Sequence, residues 1–100
     1  MTAVMTIVSA RISPDRMHDV IARFSEAVRA GMPERRETTL LRGDDGVWRV
    51  ITVWRSRKDL DSYLASVDEP FAPRLFREAG GVPRVEVLDV VLDSRAAWWS

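Results

Sequence analysis

Between Val47 and Leu64 a β-branched, tryptophan-rich run passes into a helix start with no linker, and this junction constrains the fold more than any other part of the chain. Val47 to Trp54 has the content of a strand, and Ser56 followed by Asp59 three residues on is a helix-capping signal. A strand end and a helix N-terminus therefore converge at one point. Period-two alternation puts Trp48, Val50, Thr52 and Trp54 on one face of the strand and Val47, Arg49, Ile51 and Val53 on the other. Both faces carry apolar side chains, so both call for cover.

The remaining segments supply what surrounds this junction. Val4 to Ala10 has strand-like content with both sides partly apolar, as expected for a sheet covered on each side. Ser13-Pro14-Asp15 offers a cap, a proline at the first helical position and an acid in the first turn. Met17, Val20, Ile21, Phe24, Ala27 and Val28 then recur at three-and-four spacing until Gly31 and Pro33, which predicts a helix over 14–30. Glu37 to Arg42 and Val47 to Arg55 flank Gly43-Asp44-Asp45-Gly46, a hairpin turn whose Asp-Gly pair tolerates positive φ. From the Ser56 cap a second helix buries Leu60, Tyr63, Leu64 and Val67. Pro70 and Pro73 interrupt it, and Phe71, Leu75, Phe76 and Ala79 form a further short piece ending at Gly80-Gly81. Val85 to Leu92 reads as a last strand, followed by a tail over 94–100 that holds Trp98 and Trp99.

The order is β-α-β-β-α-β with the second helix broken. This is an α+β, ferredoxin-like arrangement in which one antiparallel sheet carries its helices on one face, within a single domain spanning 1–100. The uncovered face would expose a large apolar patch unless a second copy packs on it, so a homodimer through the sheet faces is expected. Trp98 and Trp99 are expected to pack on a surface as well, since two adjacent tryptophans left in water cost up to a few kcal/mol of unburied apolar area.

Composition narrows the partners and the chemistry. Fifteen basic and fifteen acidic residues cancel, which removes the field that would gather nucleic acid or an anionic bilayer. There is no cysteine, hence no disulfide, thiolate nucleophile or cysteine metal site. The chain has neither Asn nor Gln, His18 is its one histidine and Lys58 its one lysine, so no metal-ligand cluster is expected. The apolar N-terminus lacks the basic opening and length of a leader and reads as a strand of a cytoplasmic protein with no membrane span.

The element order, together with Val50-Ile51-Thr52-Val53-Trp54-Arg55-Ser56-Arg57-Lys58-Asp59-Leu60 and its continuation through Tyr63-Leu64-Ala65-Ser66 to Phe71, resembles the antibiotic biosynthesis monooxygenase-like family. Its members are dimeric α+β barrels made of two stacked ferredoxin-like sheets. The resemblance implies cofactor-independent oxygenation of a quinol, phenol or polyketide-type aromatic, with no cofactor of its own. The family's haem-degrading members use an Asn on the first strand with a Trp and a His in the second-helix region. Here Tyr63 stands near that Trp, no Asn exists, and Ala72 to Phe76 contains no His, so haem degradation is not implied.

Oxygenating a phenol without metal or flavin requires an electron-rich anion held beside O₂, with fixed donors for the developing oxyanion. Trp54, Tyr63 and Arg55 are the candidates for that catalytic work, and Trp48, Phe71 and Phe76 for holding a flat substrate. Packing alone accounts equally for Trp48, Trp54 and Tyr63. Arg49, Arg74 and Arg77 are alternative anion contacts in an arginine-rich chain. His18 reads as exposed rather than as a base, and Asp44-Asp45 and Asp68-Glu69 read as turn residues. The competing expectation is a non-catalytic dimeric domain of the same fold that binds a small ligand or serves as a scaffold.

Overall fold

The computed structural model describes residues 2–31 and 35–92. The tail, with Trp98 and Trp99, lies outside the described residues.

Alternating burial in the strands fixes which side of the sheet is covered. The strands are β1 (Val4–Arg11), β2 (Arg35–Arg42), β3 (Val47–Trp54) and β4 (Arg84–Asp89), and the helices are α1 (Met17–Ala30), α2 (Arg57–Ser66) and α3 (Phe71–Glu78). The sheet order is β2-β3-β1-β4 with every pair antiparallel, so the expected ferredoxin-like topology is what the chain adopts. In the two central strands Val4, Thr6, Val8 and Ala10 are buried alongside Trp48, Val50, Thr52 and Trp54, all on the helical side. The main core lies there, where Val20 of α1 and Leu75 and Phe76 of α3 meet Val8, Trp48 and Val50. A smaller cluster of Val4, Trp54 and Leu60 lies at the opposite end of β3, with Tyr63 against it.

The hairpin between β2 and β3 closes as its residues dictate. Gly46 has φ +80°, the Gly43 N–H donates to the Val47 carbonyl at 2.8 Å, and Asp45 Oδ1 accepts from the Val47 N–H at 3.0 Å. Gly31, at φ +92°, ends α1 by donating its N–H to the Val28 carbonyl.

Several local expectations are corrected. The segment from Pro14 to Arg16 is a 3₁₀ turn and α1 proper begins at Met17. Ser13 makes no capping bond to the helix backbone and instead hydrogen-bonds the Asp15 carboxyl, which holds that group below its ordinary pKa. Pro73 does not interrupt the second helix; it sits in the first turn of α3, where a missing N–H has no intrahelical acceptor to lose. The break falls instead between Ser66 and Phe71, with Pro70 as the residue before α3. Leu64 is 43% exposed rather than buried, and β4 stops at Asp89, short of Leu92.

The other side of the sheet has no helix. There Met5, Ile7, Ile51 and Val53 are only half-buried, and Leu41 and Leu88 are 41% and 44% exposed. Among the described residues no helix is long and apolar enough to cross a membrane.

Candidate functional site

At the C-terminal end of β3 the chain turns sharply, because Ser56 accepts the Asp59 N–H on its Oγ at 3.2 Å and starts α2 almost immediately after the strand. The turn drops α2 back onto the end of the sheet. Leu60 is thereby buried against Val4 and Trp54, and Tyr63 lies over Trp54 with ring centroids 5.2 Å apart and planes tilted by 37°. The centroid separation falls within the range in which aromatic pairs attract, with the planes between parallel and perpendicular.

Polar bonds lock the corner. The buried Trp54 Nε1–H donates to Thr6 Oγ1 at 3.0 Å, tying β3 to β1 through side chains. The Tyr63 hydroxyl oxygen accepts the Phe71 N–H at 2.8 Å, so α2 holds the first turn of α3, whose N–H groups have no partner inside their own helix. A two-pronged bond from Arg77 to Glu69, at 2.8 and 2.6 Å, fastens the α2–α3 connection to α3. The guanidinium beside Glu69 holds its carboxyl below the usual range.

These ties enclose a cavity of about 110 Å³ between the sheet and the two short helices. Trp54, Leu60, Tyr63 and Phe71 form its walls, Val8, Thr6 and Thr52 its floor, and Val85 and Val87 its rim. Val85 and Val87 are 52% and 42% exposed, so the rim opens along β4. Apart from the Tyr63 phenol, no ionisable side chain among the described residues lines the cavity. It can hold an apolar ring and offer hydroxyl groups to an oxygen atom on that ring, but it contains no carboxylate, imidazole or amine to take a proton.

The sequence candidates separate into two groups. Trp54, Tyr63 and Phe71 come together at the cavity. Arg55 is exposed just beyond β3 and does not line it. Trp48 and Phe76 belong to the main core at the other end of the sheet, 4% and 0% exposed, with the Arg42 guanidinium 5.9 Å from the Trp48 ring centre. His18 is exposed, Arg49 is on the bare face, Arg74 is exposed, and Arg77 is paired to Glu69. Among the described residues no group of three acidic or imidazole side chains is placed to hold a metal.

Thr6 and Thr52 were not singled out in the sequence. They are directly opposed across β1 and β3, 8% and 5% exposed, and Thr38 on β2 continues the row, its Oγ1 donating to Thr52 Oγ1 at 3.5 Å. The signal was available: alternation already placed Thr52 beside Trp54 on the helical face.

The model of the antibiotic biosynthesis monooxygenase family matches residues 3–71, which include β1, the β2–β3 hairpin and all of α2. The chain belongs to this family. No curated protein matches it in sequence. Among solved structures, the antibiotic biosynthesis monooxygenase fold recurs in Rv0793 of Mycobacterium tuberculosis, 19% identical over 92% of this chain and 98% of that one, with a TM-score of 0.68. It recurs in SnoaB of Streptomyces nogalater, a cofactor-independent oxygenase, at 18% identity over 92% and 96% of the two chains and a TM-score of 0.65. The haem-degrading protein Rv3592 of M. tuberculosis is similar to the same degree, 20% identical over 92% and 94%, with a TM-score of 0.67. Antibiotic biosynthesis monooxygenase relatives of one fold thus include different activities, and identities this low carry the fold alone.

Proposed function

We propose that this chain is a cofactor-independent monooxygenase that acts on a quinol, phenol or polyketide-type aromatic in the cavity beneath α2 and α3. The observation that carries the reading is a mostly apolar hollow walled by the tilted Trp54 and Tyr63 ring pair, with two threonine hydroxyls on its floor. Such a hollow suits both a flat ring and O₂. The reaction balances without an added reductant: phenol and O₂ give quinone and water, the substrate supplying all four electrons. One oxygen atom becomes the new carbonyl, and the other leaves as water, its two hydrogens matching the one lost from the ring carbon and the one lost from the phenol hydroxyl.

Since no carboxylate, imidazole or amine among the described residues lines the cavity, the substrate is proposed to give its proton to solvent before the ring is seated. The rate then rises with pH through the substrate's own ionisation rather than that of a protein group. Trp54 and Tyr63 act as walls that fix the plane of the ring, and Arg55, at the exposed end of β3, serves at most to draw an anionic substrate towards the corner.

The working form is proposed to be a homodimer whose bare sheet faces stack. Support comes from the apolar side chains of Met5, Ile7, Ile51 and Val53 at the centre of that face and Leu41 and Leu88 at its margins.

A second reading, a ligand-binding module without turnover, is favoured by the internal bonds of the Trp54 N–H and the Tyr63 hydroxyl oxygen and by the lack of an acid or base in the cavity. Oxygen uptake against a panel of phenols, hydroquinones and anthrones separates the two. The oxygenase reading expects one O₂ consumed per quinone formed, falling at least tenfold in a Trp54→Phe, Tyr63→Phe double variant. No uptake with any compound that binds would leave the module reading.

A further inference from the structure

The two threonines on the cavity floor carry an inference that rests on the oxygenase reading and narrows its substrate. An indole N–H only donates, so in its bond to Trp54 the Thr6 oxygen is the acceptor and keeps its own hydroxyl hydrogen. Among the described residues no acceptor takes that hydrogen. Thr52 stands directly opposite on β3, and its one side-chain hydrogen bond among the described residues is the one it accepts from Thr38, at the outer limit of length. Both threonines are more than nine-tenths buried, and both line the cavity. A buried hydroxyl facing an apolar void without an acceptor is unfavourable, and a ligand oxygen seated there would remove the penalty.

Geometry sets what that ligand is. Directly opposed residues on antiparallel strands have Cβ atoms about 4.5–5.5 Å apart, so one oxygen atom can sit within reach of both hydroxyls. The cavity, about 110 Å³, is on the scale of the roughly 150 Å³ apolar cavity that accommodates benzene, and far below the volume a fused tricycle occupies. From this we infer that Thr6 and Thr52 form the oxygen-binding end of a pocket for a single aromatic ring. The phenolate or quinone oxygen points at the two hydroxyls, the ring lies against Trp54 and Tyr63, and any substituent leaves past Val85 and Val87. The substrate class is then a monocyclic phenol or hydroquinone, not a polycyclic polyketide.

The test is anaerobic binding to the full chain, followed by calorimetry, with three probes: 4-nitrophenolate, which carries an acceptor oxygen; toluene, which has the same ring without one; and anthrone, which is too large. Wild type should bind the first tightly, the second weakly and the third not at all. Thr52→Val, which keeps the side-chain shape, should weaken 4-nitrophenolate roughly tenfold, the worth of one hydrogen bond to a charged oxygen, and leave toluene unchanged or tighter. Thr52→Ser should restore it. Since Thr6→Val would also strand the Trp54 N–H, Thr6→Ser against Thr6→Val, each checked for an unchanged fold by circular dichroism, separates loss of the hydroxyl from loss of the corner. Equal loss for both ring probes, anthrone binding as tightly as the phenolate, or no binding of any probe would overturn the inference. Because no O₂ is present, threonine-dependent binding in a protein that never consumes oxygen would sink the oxygenase reading and leave this one standing.

Discussion

Trp48 and Trp54 stand at opposite ends of one strand, on one face of it and equally buried, yet Trp48 joins the larger core beside a broad, open groove lined by polar and charged residues, while Trp54 borders a small apolar hollow. The difference lies in what is laid over each. Val20 from the long helix and Leu75 and Phe76 from α3 close over Trp48. Against Trp54, Leu60 and Tyr63 of α2 pack together with Val4 of β1, and the hollow beside it is lined by the floor threonines and the rim of an edge strand. The same residue type thus packs the larger core at one end of the strand and borders a small apolar hollow at the other.

That contrast breaks most readily at Phe76. Its truncation to alanine should cost about 3–5 kcal/mol, because a fully buried ring at the filled end leaves a cavity that cannot collapse. Chemical denaturation that shows less than 1 kcal/mol would mean the two ends are packed alike. Phe71→Ala, at the cavity wall, should cost only about 1–2 kcal/mol, since this ring is half-buried already, and should let a bicyclic probe such as 1-naphthol bind where wild type refuses it. Calorimetry on the two variants side by side checks both statements. Ser56→Ala removes the cap that folds α2 over Trp54 and should lower stability by about 1 kcal/mol, loosening the cavity end while the Trp48 environment, read by near-ultraviolet dichroism, stays unchanged.

The smallest effect is one of pH. The Arg77 guanidinium depresses the Glu69 carboxyl, so the bond contributes stability that is fully present above the ordinary carboxylate range and is lost as pH falls through the lowered folded-state value. Glu69→Gln should flatten the acid side of the stability profile slightly and leave neutral stability nearly untouched, because the pair is exposed. A pH titration of the melting temperature for both proteins reads this directly.

The sequence was informative where the signal is local. Alternation in β1 and β3, the Gly-Asp-Asp-Gly turn and the Ser56 cap each fix their element by short-range sterics and hydrogen bonding, and together they make the ferredoxin-like order legible. Boundaries slipped where context overrode them, as at Pro73, harmless in a first helical turn, and at Ser13, whose hydroxyl serves Asp15 instead of the helix backbone. Trp54 and Tyr63 were both legible as candidates at the strand–helix corner. Which tryptophan would join the larger core and which would border the small apolar hollow was not, because that depends on where α3 docks, a contact between residues distant in sequence. The same long-range packing left Arg55 outside the cavity and put Phe76 in the main core with Trp48. Thr6 and Thr52 were legible in principle, being polar residues at positions that alternation assigns to the buried face.

The most direct test follows the indole N–H resonances of ¹⁵N-labelled protein, assigned by single Trp→Phe variants, during titration with 4-nitrophenolate. The account predicts that the Trp54 signal shifts in a saturable way while the Trp48 signal stays in place. A shift at Trp48 with Trp54 unmoved would contradict it, and so would saturating binding that leaves both signals unchanged.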